Sequence, residues 1–158
     1  MTKESVKTYS YRISQASKTE LIVIMYDMAI EYVKEAADIY SVDIEQYHTN
    51  LKQAKRVVDE LAVSLDMKYD ISNELLKVYV TIMRFLVKAD AGKDVKLLDT
   101  VISMLKKLRK TFYDISKQDD SGPMMQNAQQ VYAGLTYSNM GMSMEISEDP
   151  VNNRGYKV

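Results

Sequence analysis

NLKQAKRVVDELAVSL, Asn50 to Leu65, is the stretch whose reading decides the fold. Leu51, Ala54, Val57, Val58, Leu61, Ala62 and Leu65 recur at i, i+3, i+4 and i+7, which draws one apolar stripe on an α-helix. Lys52, Lys55, Arg56, Asp59 and Glu60 fill the opposite side. A helix with one apolar stripe must bury it against another element. Three similar stretches flank this one. The expectation is that they consume part of its apolar surface and leave the remainder as a binding site.

Working outward, the helix breakers divide the chain. Pro123, Pro150, Gly122, Gly134, Gly141 and Gly155 all follow Lys117, whereas residues 1–116 hold no proline and only Gly92. Proline and glycine cost a helix interior about 3 and 1 kcal/mol. Their absence over so long a run predicts an all-α body spanning residues 17–116, preceded by an N-terminal arm (residues 1–16) and followed by a flexible C-terminal tail (117–158). The arm carries Val6, Tyr9, Tyr11 and Ile13 among polar residues. The tail holds five of the eleven methionines, with one short helical turn expected around Met124–Tyr132 and docking on the body as the alternative to mobility.

Ser17-Lys18-Thr19-Glu20 is a capping box, so the first predicted helix runs from about Lys18 to Tyr40. Its apolar residues form two stripes, one through Leu21, Ile24, Met25, Met28 and Tyr32, the other through Ile22, Tyr26, Ala29 and Val33. That face is wider than a simple bundle needs. Asp43 and Gln46 have capping-box spacing and open the second helix, which ends near Asp66. Asp70 or Ser72 caps the third, which closes at Gly92 in the left-handed conformation. Asp94 caps the fourth. Short loops between helices of matched length predict an antiparallel up-and-down four-helix bundle.

Bulk properties exclude several classes. A net charge of −1 over 158 residues gives no long-range pull toward nucleic acid, and zero cysteines exclude disulfides and thiolate chemistry. No apolar run reaches the roughly 18 residues that cross a bilayer, and MTKESVKTYSYRIS has no signal-like apolar region, so a cytoplasmic protein without stable membrane insertion is expected. Glu45 and His48 have the Glu-x-x-His spacing of di-metal bundles, but His48 is the only histidine and the second half cannot form, so neither metal nor cofactor is expected. His48-Thr49-Asn50-Leu51-Lys52 is loosely similar to the reactive helix of histidine phosphotransfer bundles, which is the alternative function. There is no phosphate loop, nucleophile elbow or Cys-His pair, so no enzyme is expected. The basic run Lys106, Lys107, Arg109 and Lys110 reads as a solvated helix end.

The pieces ISQASKTELIVIMYDMAIEYV, NLKQAKRVVDELAVSLD, YVTIMRFLVKADAGKD and LKKLRKTF, in this order and spacing, resemble the flagellin-specific export chaperones of the FliS family across roughly residues 9–116. Lys18 stands where the family usually has proline, and Phe112 where it often has tryptophan. The resemblance implies a cytoplasmic chaperone that binds the disordered C-terminal segment of flagellin in hydrophobic grooves. It implies that this binding prevents premature polymerisation, and that the loaded chaperone delivers flagellin to the export gate of the flagellar type III apparatus. Binding a helix in a groove needs apolar anchors and small residues on the receptor. The candidate flagellin-binding residues are Tyr9, Tyr11 and Ile13 of the arm, and Leu21, Ile22, Met25 and Tyr26 of the first helix. Asn50, Ala54, Val57, Val58, Leu61 and Leu65 of the second, and Tyr79, Met83 and Leu86 of the third, complete the set. A monomer is expected.

Overall fold

A computed structural model describes residues 1–125. Five α-helices occupy them: α1 (Lys3–Gln15), α2 (Lys18–Ile39), α3 (Ile44–Val63), α4 (Asp70–Gly92) and α5 (Lys96–Ser116). Helices α2 to α5 form the expected bundle. Each is packed on the next in the chain, α5 returns to α2, and α4 stands diagonally opposite α2. The described part of the tail runs back past the α1–α2 junction, where the Met124 amide donates to the Ala16 carbonyl at 2.9 Å. Asp119 accepts a hydrogen bond from the Thr19 hydroxyl at the same place. The expected turn around Met124–Tyr132, and the rest of the tail, lie outside the described residues.

The arm is itself a helix, which is the main correction to the sequence reading. Thr2 caps α1, its hydroxyl accepting the Ser5 amide at 3.0 Å. Val6, Tyr9 and Ile13 at i, i+3 and i+7 make only a narrow apolar stripe among polar residues, and nothing in residues 3–15 breaks a helix. The capping box at Ser17 and Glu20 is formed in both directions, and Asp43 accepts the Gln46 amide at 2.9 Å. The other expected caps do not form. Tyr69 and Val95 precede α4 and α5 without a side-chain cap. Asp70 lies inside the first turn of α4, where its charge still favours the positive end of the helix dipole. Ser72 is buried and donates to the Asp66 carbonyl at 2.6 Å, which ties down the α3–α4 turn. Gly92 is the last helical residue, and Lys93 instead takes the left-handed conformation, at φ 54°.

The core is one cluster running through Tyr26, Val33, Tyr47, Leu51, Val58, Ile82, Leu86, Leu98 and Leu105. Its polar atoms are paired. The hydroxyls of Tyr26 (α2) and Tyr79 (α4) bond each other across the bundle axis. The Tyr47 hydroxyl donates to the Ala89 carbonyl at 2.8 Å. Burial, and the neighbouring Asp90 charge after it, push the Tyr47 phenol up to about 12, so it stays a neutral donor.

Candidate protein-docking surface

Helix α2 is buried from two sides. Its front, through Tyr26, Ala29, Val33 and Ala36, faces the bundle core. Its back carries Asp27, Glu31 and Glu35, at i, i+4 and i+8, and α1 runs antiparallel along them. Arg12 donates to Asp27 at 2.7 Å, the Tyr9 hydroxyl donates to Glu31 at 2.7 Å, and the Met1 amine pairs with Glu35. Ile24 shares this back face by spacing and is buried. The wide apolar face expected of this helix therefore has a structural cause: it packs on the bundle in front and under α1 behind.

Helix α1 is held by these polar contacts together with the partial burial of Tyr9 and Ile13. Tyr9 and Ile13 are half-buried, but Val6 is 49% and Tyr11 71% exposed. Burial raises the Tyr9 phenol, and the Glu31 carboxylate beside it raises it further, so the hydroxyl keeps its proton and remains a donor. Asp27 is shared, since Arg109 of α5 reaches the same carboxylate. The Asp27 hydrogen bond is the main cause that raises the Arg109 guanidinium, against the opposing effect of burial. Shallow clefts flank α1 on both sides. One is lined by Tyr11, Arg12, Val23, Arg109 and Tyr113, the other by Met1, Glu35, Ile39, Gln46 and Asn50.

The candidate residues divide by accessibility. Tyr26, Ala54, Val58, Leu61, Tyr79 and Leu86 are in the closed interior. Asn50 is buried too, its side-chain oxygen accepting from Gln46 at 3.0 Å. The Ala54–Val58 line is thus core, not groove, because α3 turns that stripe toward the bundle axis. Leu21, Ile22 and Met25 of α2, with Val57 of α3 and Leu65 just beyond it, are half-buried at the α2–α3 seam. Tyr32 extends this row at the spacing 21, 25, 28, 32 and is half-buried as well. Met83 lies apart on α4. Leu21, Met25, Val57 and Leu65 thus keep part of their surface on α2, on α3 and just after α3, whereas Met83 lies on α4. The sequence reading missed the acidic ladder of Asp27, Glu31 and Glu35, although its i, i+4 spacing on an otherwise apolar helix was the available signal.

His48 is half-buried in the first turns of α3. Its Nδ1 faces the Asp90 carboxylate of α4, and Lys55 binds the other oxygen of the same group. That places His48 in an interhelical hydrogen-bonded cluster around Asp90. No described helix is long and apolar enough to cross a membrane.

Residues 2–119 match the family described as flagellar protein FliS. The chain belongs to the FliS family. The match takes in α1 through α5, so the arm helix is part of the family's shared region. No curated protein matches the chain. FliS membership makes the chain a flagellar chaperone, and the FliS family is one of chaperones that bind flagellar proteins.

Proposed function

We propose that this FliS-family chain is a cytoplasmic chaperone for flagellin. It holds the disordered C-terminal segment of newly made flagellin on the α2–α3 seam, prevents premature polymerisation, and presents the loaded segment to the flagellar type III export gate. The observation that carries this reading is the placement of α1. A helix tied to the back of α2 by side-chain hydrogen bonds and ion pairs shares that helix with the half-buried Leu21 and Met25, and Val57 and Leu65 of the neighbouring α3 segment are half-buried too. Partly exposed ion pairs contribute about 0.2–1 kcal/mol each, so such a helix is displaceable. Its departure opens a continuous apolar strip onto which a disordered segment can fold as an amphipathic helix. No chemical step is needed, because burial on folding supplies the binding energy. Met25 and Met28 suit such a surface, since unbranched thioethers repack against varied partners.

The test is affinity capture of the full chain from the cytosol of its native host. Flagellin should be the dominant partner, and Met25→Glu should remove it from the eluate while the bundle stays folded. Capture dominated by another protein, or of flagellin equally by both forms, would overturn the proposal.

A further inference from the structure

A second surface lies between α3 and α4, away from α1. Leu76, Val80, Met83, Val87 and Ala91 follow at i, i+4, i+7, i+11 and i+15 on α4, a strip about 23 Å long. Val80 and Val87 are each 50% exposed, Leu76 and Met83 are half-buried, and Ala91 is exposed. The C-terminal half of the strip borders a shallow depression lined by Met83, Arg84, Val87, Lys88 and Ala91.

The neighbouring wall belongs to α3. His48 and Lys55 both reach Asp90 of α4, which shows that their side of α3 faces α4. Lys52 and Asp59 share that side by i+4 spacing, and Ala62 follows seven residues after Lys55. Along this wall the charge changes sign between Lys55 and Asp59. Because α3 and α4 run antiparallel, the basic half of α3 lies beside the C-terminal half of α4, which adds Arg84 and Lys88. The acidic half lies beside the N-terminal half, which adds Asp70. Lys52, Arg84 and Lys88 make no ion pair among the described residues, and neither do Asp59 and Asp70. Of the other charges there, Lys55 is matched by Asp90, Asp66 by Lys68 at 3.1 Å and Glu74 by Lys77 at 2.9 Å, while Glu45 in the first turn of α3 is acidic at the basic end and makes no ion pair among the described residues.

We infer that the α3–α4 face docks an amphipathic helix of a partner protein whose charges are split end to end, acidic where it passes Lys52, Arg84 and Lys88 and basic where it passes Asp59 and Asp70. The apolar strip on α4 supplies burial, and the two-signed wall fixes the direction in which the helix lies. Opposite charges set register and orientation more than raw affinity. This face is separate from the α2–α3 seam, so the inference stands whether or not flagellin binds there.

The probe is a pair of fluorescent synthetic peptides of about 18 residues, roughly 27 Å as a helix. Both carry one apolar stripe and the same composition. One has acidic residues in one half and basic residues in the other; its control has the charges intermixed. Against the full chain, the split-charge peptide should bind at least about tenfold more tightly at about 0.05 M salt, and the advantage should fall below about twofold at about 0.5 M. A nitroxide on its acidic end should broaden the methyl resonances of Val87. In the variant with Lys52→Asp, Lys88→Glu and Asp59→Lys, the broadening should move to Val80. All three positions are solvent-exposed, and circular dichroism confirms that the variant folds. Binding of neither peptide, equal binding of both, or a label that stays at Val87 in the variant would overturn the inference. So would self-association of the full chain that Val80→Glu with Val87→Glu abolishes, since the face would then belong to a second copy.

Discussion

Replacing Tyr26 or Tyr79 by phenylalanine tests the core of the bundle and separates two roles for Tyr79. Each hydroxyl is fully buried, and each has the other as its hydrogen-bond partner. Burial raises both phenols, so both stay protonated, one donating and the other accepting. Tyr26→Phe removes one partner and leaves the Tyr79 hydroxyl unpaired in the core. The cost of an unsatisfied buried group is about 1–3 kcal/mol. Tyr79→Phe has the same effect in the opposite sense. The double variant removes both hydroxyls and leaves no orphan. The rings keep their packing, with Tyr26 and Phe112 centroids 5.6 Å apart, so the double variant should lie within about 1 kcal/mol of the native protein. The two single costs then sum to about 2–6 kcal/mol against at most about 1 kcal/mol for the double, so the coupling between the changes is at least about 1 kcal/mol, as expected for residues in direct contact. Urea denaturation followed by helical circular dichroism measures all four forms, with an unchanged slope expected throughout. Two single variants whose costs add in the double would refute the paired-hydroxyl reasoning. Because Tyr79 is interior, its loss should also leave peptide binding unchanged in the folded protein.

Other predictions follow from single contacts. Lys93→Gly places glycine at a left-handed position and should stabilise the protein by about 0.5–1 kcal/mol, read as a rise in Tm. Ser17→Ala removes the capping box of α2 and should cost about 1 kcal/mol in the same assay. Burial raises the Asp90 carboxyl, but hydrogen bonds from Lys55 and His48 outweigh it and leave it below the usual carboxylate value. A depressed folded value gives stability that is present above the unfolded carboxylate range and lost as the pH falls through the folded value. Asp90→Asn should therefore flatten acid denaturation in that window. Deleting residues 1–15 removes the α1 contacts; if these favour the closed position by about 2 kcal/mol, the on-rate of a flagellin peptide should rise about 30-fold. An unchanged on-rate with faster dissociation would show instead that α1 clamps the bound peptide.

The bundle was legible because all four of its helices show an apolar period and two of them, α2 and α3, are marked by caps as well. The stripe from Leu51 to Leu65 gave α3 its inward face, and the Ser17–Glu20 and Asp43–Gln46 spacings marked two starts within a residue. Helix α1 was not read as a helix although Val6, Tyr9 and Ile13 stand at i, i+3 and i+7, because these three are isolated among polar residues such as Thr8, Ser10 and Arg12. Its position is set by Asp27, Glu31 and Glu35 on another helix, which periodicity in α1 cannot report. The candidate surface was legible only in part for a related reason. A stripe shows which side of a helix is apolar, not how much of it neighbours cover. Ala54 and Val58 belong to the same stripe as Val57, yet they point to the axis while Val57 lies at the α2–α3 seam. The α4 strip was not legible because Val87 follows Leu76, Tyr79 and Met83 at helical spacing and is expected inside with them, whereas the structure leaves it and Val80 each 50% exposed.

The most direct test of flagellin binding at the α2–α3 seam is titration of a labelled peptide from the C-terminal segment of the host's flagellin into the full chain and into Val57→Glu. Val57 is half-buried, so a carboxylate there is tolerated in the free protein, with circular dichroism as the control for folding. Covering it with an apolar helix desolvates the charge at a cost of a few kcal/mol. The expected result is saturable binding to the native chain, weakened more than about tenfold by the substitution. No saturable binding to the native chain, or equal affinity for both proteins, would contradict it.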